Sequence, residues 1–273
     1  MNRMKLLAVL TLMLAGCANT TPVKTEPPVL KFDYHTQANA PENGKIIAIT
    51  SYQFLTNNAP RTKQPDAGLL NFKLASDVVQ FSAVTNYHEN YELQLQTAMQ
   101  SALAEMISKR GFTVTGPFKS SEEIPYTDKK HLYLIILPRL NLDIEQRPTT
   151  KSCIHSICTD KGVITLGGSL LLRFIEPLSE QTLLTKRIDL TEPGISKNYI
   201  HQYPQVTRKA VMQGLMYSDN ELNSLIDDAD KQLVDALNEF YRAAMTKTDA
   251  LISAKELLSH QDDLDQIRGF KRR

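Results

Sequence analysis

Leu132-Tyr133-Leu134-Ile135-Ile136-Leu137-Pro138-Arg139-Leu140-Asn141-Leu142-Asp143-Ile144-Glu145 is the longest strand signal in the chain. Leu132, Leu134, Ile136, Leu140, Leu142 and Ile144 recur with the period of two that a pleated strand gives one face. The opposite face changes character partway, from Tyr133, Ile135 and Leu137 to Arg139, Asn141, Asp143 and Glu145. The stretch therefore predicts a strand buried on both faces in its first half and wet on one face in its second. Pro138 has no amide hydrogen to give a ladder, and predicts a bulge or an edge position.

Working outward, Val163 to Ile175 reads as a second long strand, with Gly167-Gly168 allowing a bend. Glu176 to Glu180 turns the chain, and Thr182 to Leu190 returns as a third strand. Three successive strands joined by loops predict an antiparallel meander. Upstream, Lys45 to Ile49 is a compact apolar strand suited to a sheet interior, and Phe112 to Thr115 alternates as another. Between them, from Glu89 to Arg110, the period turns helical, with Tyr91, Leu95, Ala98, Met99, Ala102 and Met106 on one side. Gly111 closes that helix as the left-handed residue beyond its end. Thr56 to Asp66 reads as an exposed loop, and Gly194 to Ser218 as a polar and aromatic connection, partly helical from Val206. An amphipathic helix opens with Ser218 or Asp219 as N-cap and runs through Leu222, Ile226, Ala229, Leu233, Leu237, Phe240 and Ala244. A more charged helical stretch, Asp249 to Gln266, projects from the body or packs on one side. The fold class is α+β, a mostly antiparallel sheet covered by helices, with a C-terminal helical extension.

The N-terminus decides the compartment. Arg3 and Lys5 precede an uncharged run from Leu6 to Leu14, which is too short for a spanning helix of about 20 residues and reads as a signal peptide. Leu14-Ala15-Gly16-Cys17 resembles the lipobox of bacterial lipoproteins, which implies that Cys17 carries a diacylglycerol, with palmitate among its acyl chains, and becomes the mature N-terminus. An ordinary secreted protein is the alternative. Ala18 stands where an aspartate commonly retains such proteins in the inner membrane, so the outer membrane is favoured, on its cell-surface or its periplasmic side. The division that follows is 1–16 signal peptide, 17–43 lipidated cysteine and Pro- and Thr-rich tether, 44–218 α+β envelope domain and 219–273 C-terminal helical region. Within the tether, Val29 to His35 alternates like a short strand.

Removing residues 1–16 takes two of the 31 basic residues and leaves 29 against 30 acidic ones, a net charge near −1. Nonspecific nucleic-acid binding needs a clustered basic excess, and only Gly269 to Arg273 is locally basic. Cys153 and Cys158, in an exported chain, read as a short-loop disulfide. A metal site, free thiols and a redox pair are the competing readings. The six histidines are dispersed and read as surface or loop residues, and the acid pairs Glu122-Glu123, Asp227-Asp228 and Asp262-Asp263 as solvated faces. There is no Gly-x-Ser-x-Gly elbow, zinc helix or phosphate-cradling glycine loop, so no enzyme and no cofactor is implied.

The order of elements is similar to that of the N-terminal domain of TolB and its relatives among envelope proteins. A closer resemblance is to the neuraminyllactose-binding haemagglutinin, or HpaA adhesin, family. It rests on Leu30-Lys31-Phe32-Asp33-Tyr34-His35, on the Gly111-Phe112-Thr113-Val114 step, on Ile175-Glu176-Pro177-Leu178-Ser179 and on the Lys-rich helical C-terminus. The resemblance implies a surface lipoprotein and adhesin for sialylated glycans, in some members associated with a flagellar sheath. The family's basic segment proposed to bind sialic acid is not reproduced, since Gln146-Arg147-Pro148-Thr149-Thr150-Lys151 stands at the corresponding place. Arg147 is the residue whose guanidinium suits a sialic carboxylate, with Lys151 as a point charge and Thr149 as a hydroxyl partner. The residues alone favour solvated hairpin positions with no ligand. Tyr199 and Tyr203 with Arg208 and Lys209 form a second candidate surface. The contrasting reading is a structural or assembly lipoprotein of the outer membrane or flagellar sheath whose C-terminal helices dock a protein partner.

Overall fold

The computed structural model describes residues 28–56, 81–154, 157–191, 194–204 and 224–270. The expectations for the signal peptide, Cys17, His155, Arg208, Lys209, Leu222 and the helix start at Ser218 or Asp219 lie outside those residues.

Two strands, β4 (Leu134–Ile154) and β5 (Ile157–Ile175), pair antiparallel along their whole length, from Ile135↔Ile175 to Ile154↔Ile157. Both are longer than the sequence suggests. The residues around the two cysteines continue the ladder instead of looping out of it. Twenty-one extended residues span about 70 Å, so each edge of this hairpin accommodates two shorter strands end to end. Against β4 lie β1 (Ile46–Thr50) and then β2 (Gln53–Thr56), both parallel to it. Against β5 lie β6 (Thr182–Asp189) and β7 (Ile195–Pro204), both antiparallel. β3 (Thr113–Phe118) closes the far edge, parallel to β1.

The two changeovers fall at the residues least able to extend a ladder. Pro138 sits between the positions paired with β1 and those paired with β2. It is neither a bulge nor an edge, because its missing donor falls where the partner changes. The bulge lies instead between Pro148 and Thr150. Gly167-Gly168 marks the corresponding switch on β5, where Leu190 donates its amide to Gly168 and Thr191 crosses over Gly167.

Helices cover one face of the sheet. Ser82 caps α1 (Ala83–Asn86), accepting the Thr85 amide, and a π turn at Tyr87–Tyr91 leads into α2 (Glu92–Ser108). Leu95, Met99, Ala102, Leu103, Met106 and Ile107 are buried at spacings of three and four. Gly111 ends it at φ +88°, and a Cβ there would stand 2.1 Å from the Pro41 carbonyl, so glycine serves both the turn and the close approach. The short helix α3 (Tyr126–Lys129) lies on the connection to β4. α4 (Ala229–Leu251) then buries Leu233, Val234, Leu237, Phe240, Tyr241, Ala244 and Met245. It starts later than its apolar period suggests. Residues 226–228 are occupied along β7, where Gln202 donates its amide to the Ile226 carbonyl and Asp228 its amide to the Ile200 carbonyl, while the Gln202 and Asp228 side chains accept the Ile226 and Ile200 amides in return. α5 (Ala254–Ser259) and α6 (Gln261–Phe270) do not project. Leu257 and Leu264 are buried in the same core, and Arg268 reaches back to Glu176 and the Leu132 carbonyl.

Along β4, Leu134, Ile136, Leu140, Leu142 and Ile144 face this helical layer, while Ile135 enters a smaller cluster on the reverse face with Ala48, Ile124, Leu132 and Ile175. Leu132 precedes the strand and has moved to that reverse cluster, leaving Tyr133 in the main core with its hydroxyl on the Leu257 carbonyl.

Val29 to His35 has no strand partner among the described residues, and residues 28–43 are not a free tether. They run as a strap over the helical layer. Lys31 donates its amide to Asn238, the Phe32 ring packs tilted against Tyr241 at 4.7 Å, and Ala40 and Asn43 donate theirs to the Lys109 and Gly111 carbonyls. At its centre Asp249 accepts the Tyr34 and Thr36 hydroxyls and the Arg110 Nη2 at 2.6 Å, while Arg110 also donates to the Met106, Asp249 and Ile252 carbonyls. Burial pushes the Asp249 carboxyl up, but the Tyr34, Arg110 and Thr36 bonds outweigh it and hold the group below the usual range.

Asp249→Ala leaves the buried Arg110 guanidinium without its counter-charge, and a loss of about 3 kcal/mol is expected in urea denaturation. A carboxylate with a depressed folded pKa stabilises above its unfolded value near 4 and loses that contribution as pH falls through the folded value. The wild-type protein should accordingly lose stability below about pH 4 more steeply than Asp249→Asn, as read by denaturation midpoints across the acid limb.

Candidate functional site

Beyond the helices β4, β5 and β7 continue as an arm. From Arg147 to Ile154 every residue of β4 is exposed, whereas β5 still alternates, with Cys158, Asp160, Gly162 and Ile164 turned inward. The register passes from Pro148↔Gly162 to Thr150↔Lys161, so Thr149 is the extra residue of a bulge. Its hydroxyl donates to the Lys161 carbonyl at 3.1 Å. Gly162 is required opposite, because a Cβ would stand 2.6 Å from both the Arg147 carbonyl and the Tyr199 ring.

The bulge separates the residues that proximity in sequence groups together. In an unbroken strand Arg147 and Lys151 would share a face, but one inserted residue reverses the alternation. Arg147 therefore points to the open face, where Nε and Nη2 grip the Glu145 carboxylate at 2.6 and 2.8 Å. That pairing holds Glu145 below and Arg147 above their ordinary pKa values. Lys151 lies on the other face, its Nζ 3.8 Å from Asp160 and 5.7 Å from the centre of the Tyr203 ring. The Tyr203 hydroxyl and then the Asp160 charge raise its pKa.

This inner face holds a polar and aromatic cluster. His201 stacks on Tyr203 at 5.2 Å and packs near Phe81 at 6.1 Å, and its Nδ1 is 2.9 Å from Asp227 Oδ2. The 2.9 Å separation suits an ion pair once the imidazole is protonated, although its angles do not make a directed hydrogen bond. Burial raises the Asp227 carboxyl, but His201 and the Ala229 amide bring it below its ordinary value. Gln146 joins the cluster to the body, donating to the Phe81 carbonyl and the Tyr199 hydroxyl and accepting the Ala83 amide.

Two expectations need correction here. Tyr199 and Tyr203 belong to a strand and not to a connection, and Tyr199 is buried. His201 is buried on that strand, unlike a surface or loop histidine. The signal for both was the alternation Ile195, Lys197, Tyr199, His201, Tyr203. Cys153 and Cys158 face each other at the tip and are joined by a disulfide. The acid pairs have local partners: Asp228 accepts the Ile200 amide, Glu123 the Lys119 amide, and Asp263 lies 3.0 Å from His260. A groove of about 440 Å³ between α2 and β3, lined by Ile49, Leu93, Gln96, Gln100 and Val114 among others, carries no charged group among the described residues to meet an anionic ligand.

The model of the family described as neuraminyllactose-binding hemagglutinin precursor matches residues 11–271. Two curated relatives described as neuraminyllactose-binding hemagglutinin, one from Helicobacter pylori and one from its strain J99, are each 22% identical over 273 residues, covering 96% of this chain and 91% of the relative. The crystal structure of a neuraminyllactose-binding hemagglutinin homolog from Helicobacter pylori superposes with a TM-score of 0.51 at 19% identity, over 85% of this chain and 97% of that one. The solved protein thus shares the α+β fold, its large sheet, covering helices and C-terminal helical part.

The disulfide constrains only the tip. Replacing Cys153 and Cys158 by serine should speed amide hydrogen exchange across 146–165 by the equivalent of about 2 kcal/mol, from chain entropy, while amides of β1 and α2 keep their protection. Equal loosening of the whole sheet would contradict that confinement.

Proposed function

Because the chain belongs to the neuraminyllactose-binding hemagglutinin family, we propose that it is an adhesin-like surface protein that binds sialylated glycans and catalyses no reaction. The observation that carries this reading is the extent of the match, 96% of the chain and 91% of the relatives, so the kinship is to a whole protein and not to one shared fold element. At 22% identity the broad class carries over, while the contacts with a glycan have to come from this chain's own surface.

In this reading Cys17 bears the lipid and attaches the protein to the outer membrane facing outward. No described helix is long and apolar enough to cross a membrane, and acyl chains supply the attachment. Residues 17–43 are then a linker whose later part straps onto an envelope domain of residues 44–218, with 219–273 completing its helical layer. Single glycan contacts are weak, and many anchored copies acting together supply avidity. Arg147 is already engaged by Glu145, and Lys151 faces the other way, so the two do not form one grip and neither is assigned the glycan carboxylate. The assembly-lipoprotein alternative rests on the amphipathic C-terminal helices. Burial of Leu233, Leu237, Phe240, Leu257 and Leu264 in this chain's own core accounts for that pattern without a partner.

The test pairs protease treatment of intact cells with a sialylated-glycan array probed by the full-length protein. Cleavage on intact cells, loss of membrane attachment in Cys17→Ser and retention of sialylated over neutral glycans are expected. Protection from protease, or indifference to sialylation, sinks the reading.

A further inference from the structure

On the open face of the sheet one row crosses four strands: Gln53 of β2, Arg139 of β4, Leu171 of β5 and Arg187 of β6. The next row is Leu55, Asn141, Ser169 and Asp189. Six of these residues, Leu55, Arg139, Asn141, Ser169, Leu171 and Arg187, line a cleft of about 300 Å³, the lower end of what holds a small ligand. The two arginines stand two strands apart, about 10 Å at the backbone, which leaves their side chains free to converge over Leu171.

Three observations give the cleft its chemistry. Among the described residues the arginines in ion pairs are Arg110, Arg147 and Arg268. Arg139 and Arg187 are not among them. Arg139 donates to the neutral Gln53 amide oxygen at 3.3 and 3.2 Å, and of the rim acids Asp189 is already accepting the Thr191 amide and hydroxyl at 2.8 and 2.6 Å. Secondly, Asn141 and Ser169, paired across β4 and β5, put an amide and a hydroxyl into the cleft lining. Thirdly, the floor is aliphatic, with Leu55 49% exposed on an otherwise polar surface.

Two guanidinium forks outside the ion pairs, one of them acted on by the Asp189 charge, stand beside an aliphatic floor, a hydroxyl and an amide, and match one ligand class. We propose that this cleft binds the carboxylate of an acidic sugar, Arg139 and Arg187 holding the carboxylate, Asn141 and Ser169 meeting ring hydroxyls, and Leu171 and Leu55 lying against the apolar side of the ring. A carboxylate accepts paired, charge-assisted bonds from guanidinium, and a sugar supplies the hydroxyls and the apolar edge that a simple anion lacks. The proposal deepens the glycan-binding reading and rests on it. It moves the grip about 27 Å along β4 from Arg147, by the rise of an extended strand.

The full-length protein is titrated with sialyllactose, with lactose and with inorganic phosphate, and the sialyllactose titration is repeated on Arg139→Gln, Arg187→Gln and Arg147→Ala. Both cleft variants should weaken sialyllactose by about tenfold or more with an unchanged circular-dichroism melt, and Arg147→Ala should bind as the wild type does. Two separate substitutions on exposed side chains keep the test decisive if one of them folds poorly. Sialyllactose binding that neither cleft variant weakens overturns this site and leaves the family reading standing. Lactose or phosphate binding as tightly as sialyllactose overturns the carboxylate-on-sugar recognition, and no binding of any probe overturns both readings.

Discussion

The register between β4 and β5 is the constraint from which the rest of the molecule is measured. A slip of one residue would bring Arg139, Asn141, Asp143 and Glu145 under the helices and expose Leu140, Leu142 and Ile144 to water. Opposite them β5 presents Ile164, Leu166, Leu170 and Leu172 with the same parity, so both strands specify one pairing. Each remaining strand takes its height from this ladder. The helices then need only lay an apolar stripe across the face it defines.

Much of that frame is legible in the chain because burial writes itself in periods. The half-dry, half-wet character of β4, the meander, α2 and its closing glycine all follow from residues that face a core. Misreadings arise where the deciding partner is distant. Leu30, Phe32 and Tyr34 alternate as they would in a strand, but they rest on helices, and nothing local distinguishes the two. β7 carries aromatic and polar side chains on its buried face where aliphatic ones are expected, which hides its alternation. Thr149 reveals a bulge only when counted against Lys161. The candidate ligand residues show the same limit most strongly. Arg147, Thr149 and Lys151 are neighbours in sequence and are divided by the bulge, whereas Arg139 and Arg187 are distant in sequence and only the β4–β5–β6 register brings them into one row.

Charge is partitioned by layer. Arg110 with Asp249 and Arg268 with Glu176 lie within or beneath the helical layer, where surrounding carbonyls, hydroxyls and amides satisfy the rest of their bonding capacity. These pairs fix helix ends to the sheet and to the strap, a positional role that hydrophobic packing alone leaves loose. On the open face, in contrast, Arg139 and Arg187 project over short polar residues and a leucine. Guanidinium chemistry is thus used twice in the chain, once consumed internally and once presented outward.

The strap over the helices also sets how the body bears mechanical load. A chain held at its N-terminal end and pulled through a bound surface transmits force into residues 28–43 before any strand feels it. Those residues lie lengthwise over α2 and α4, from Asn238 and Tyr241 to Asp249 and onward to Gly111. Tension along that line shears the contacts at Lys31, Phe32, Tyr34 and Thr36 together, where a perpendicular pull would peel them one after another. Asp249 then works as a mechanical anchor, passing the load through Arg110 into the end of α2 and the α4–α5 junction.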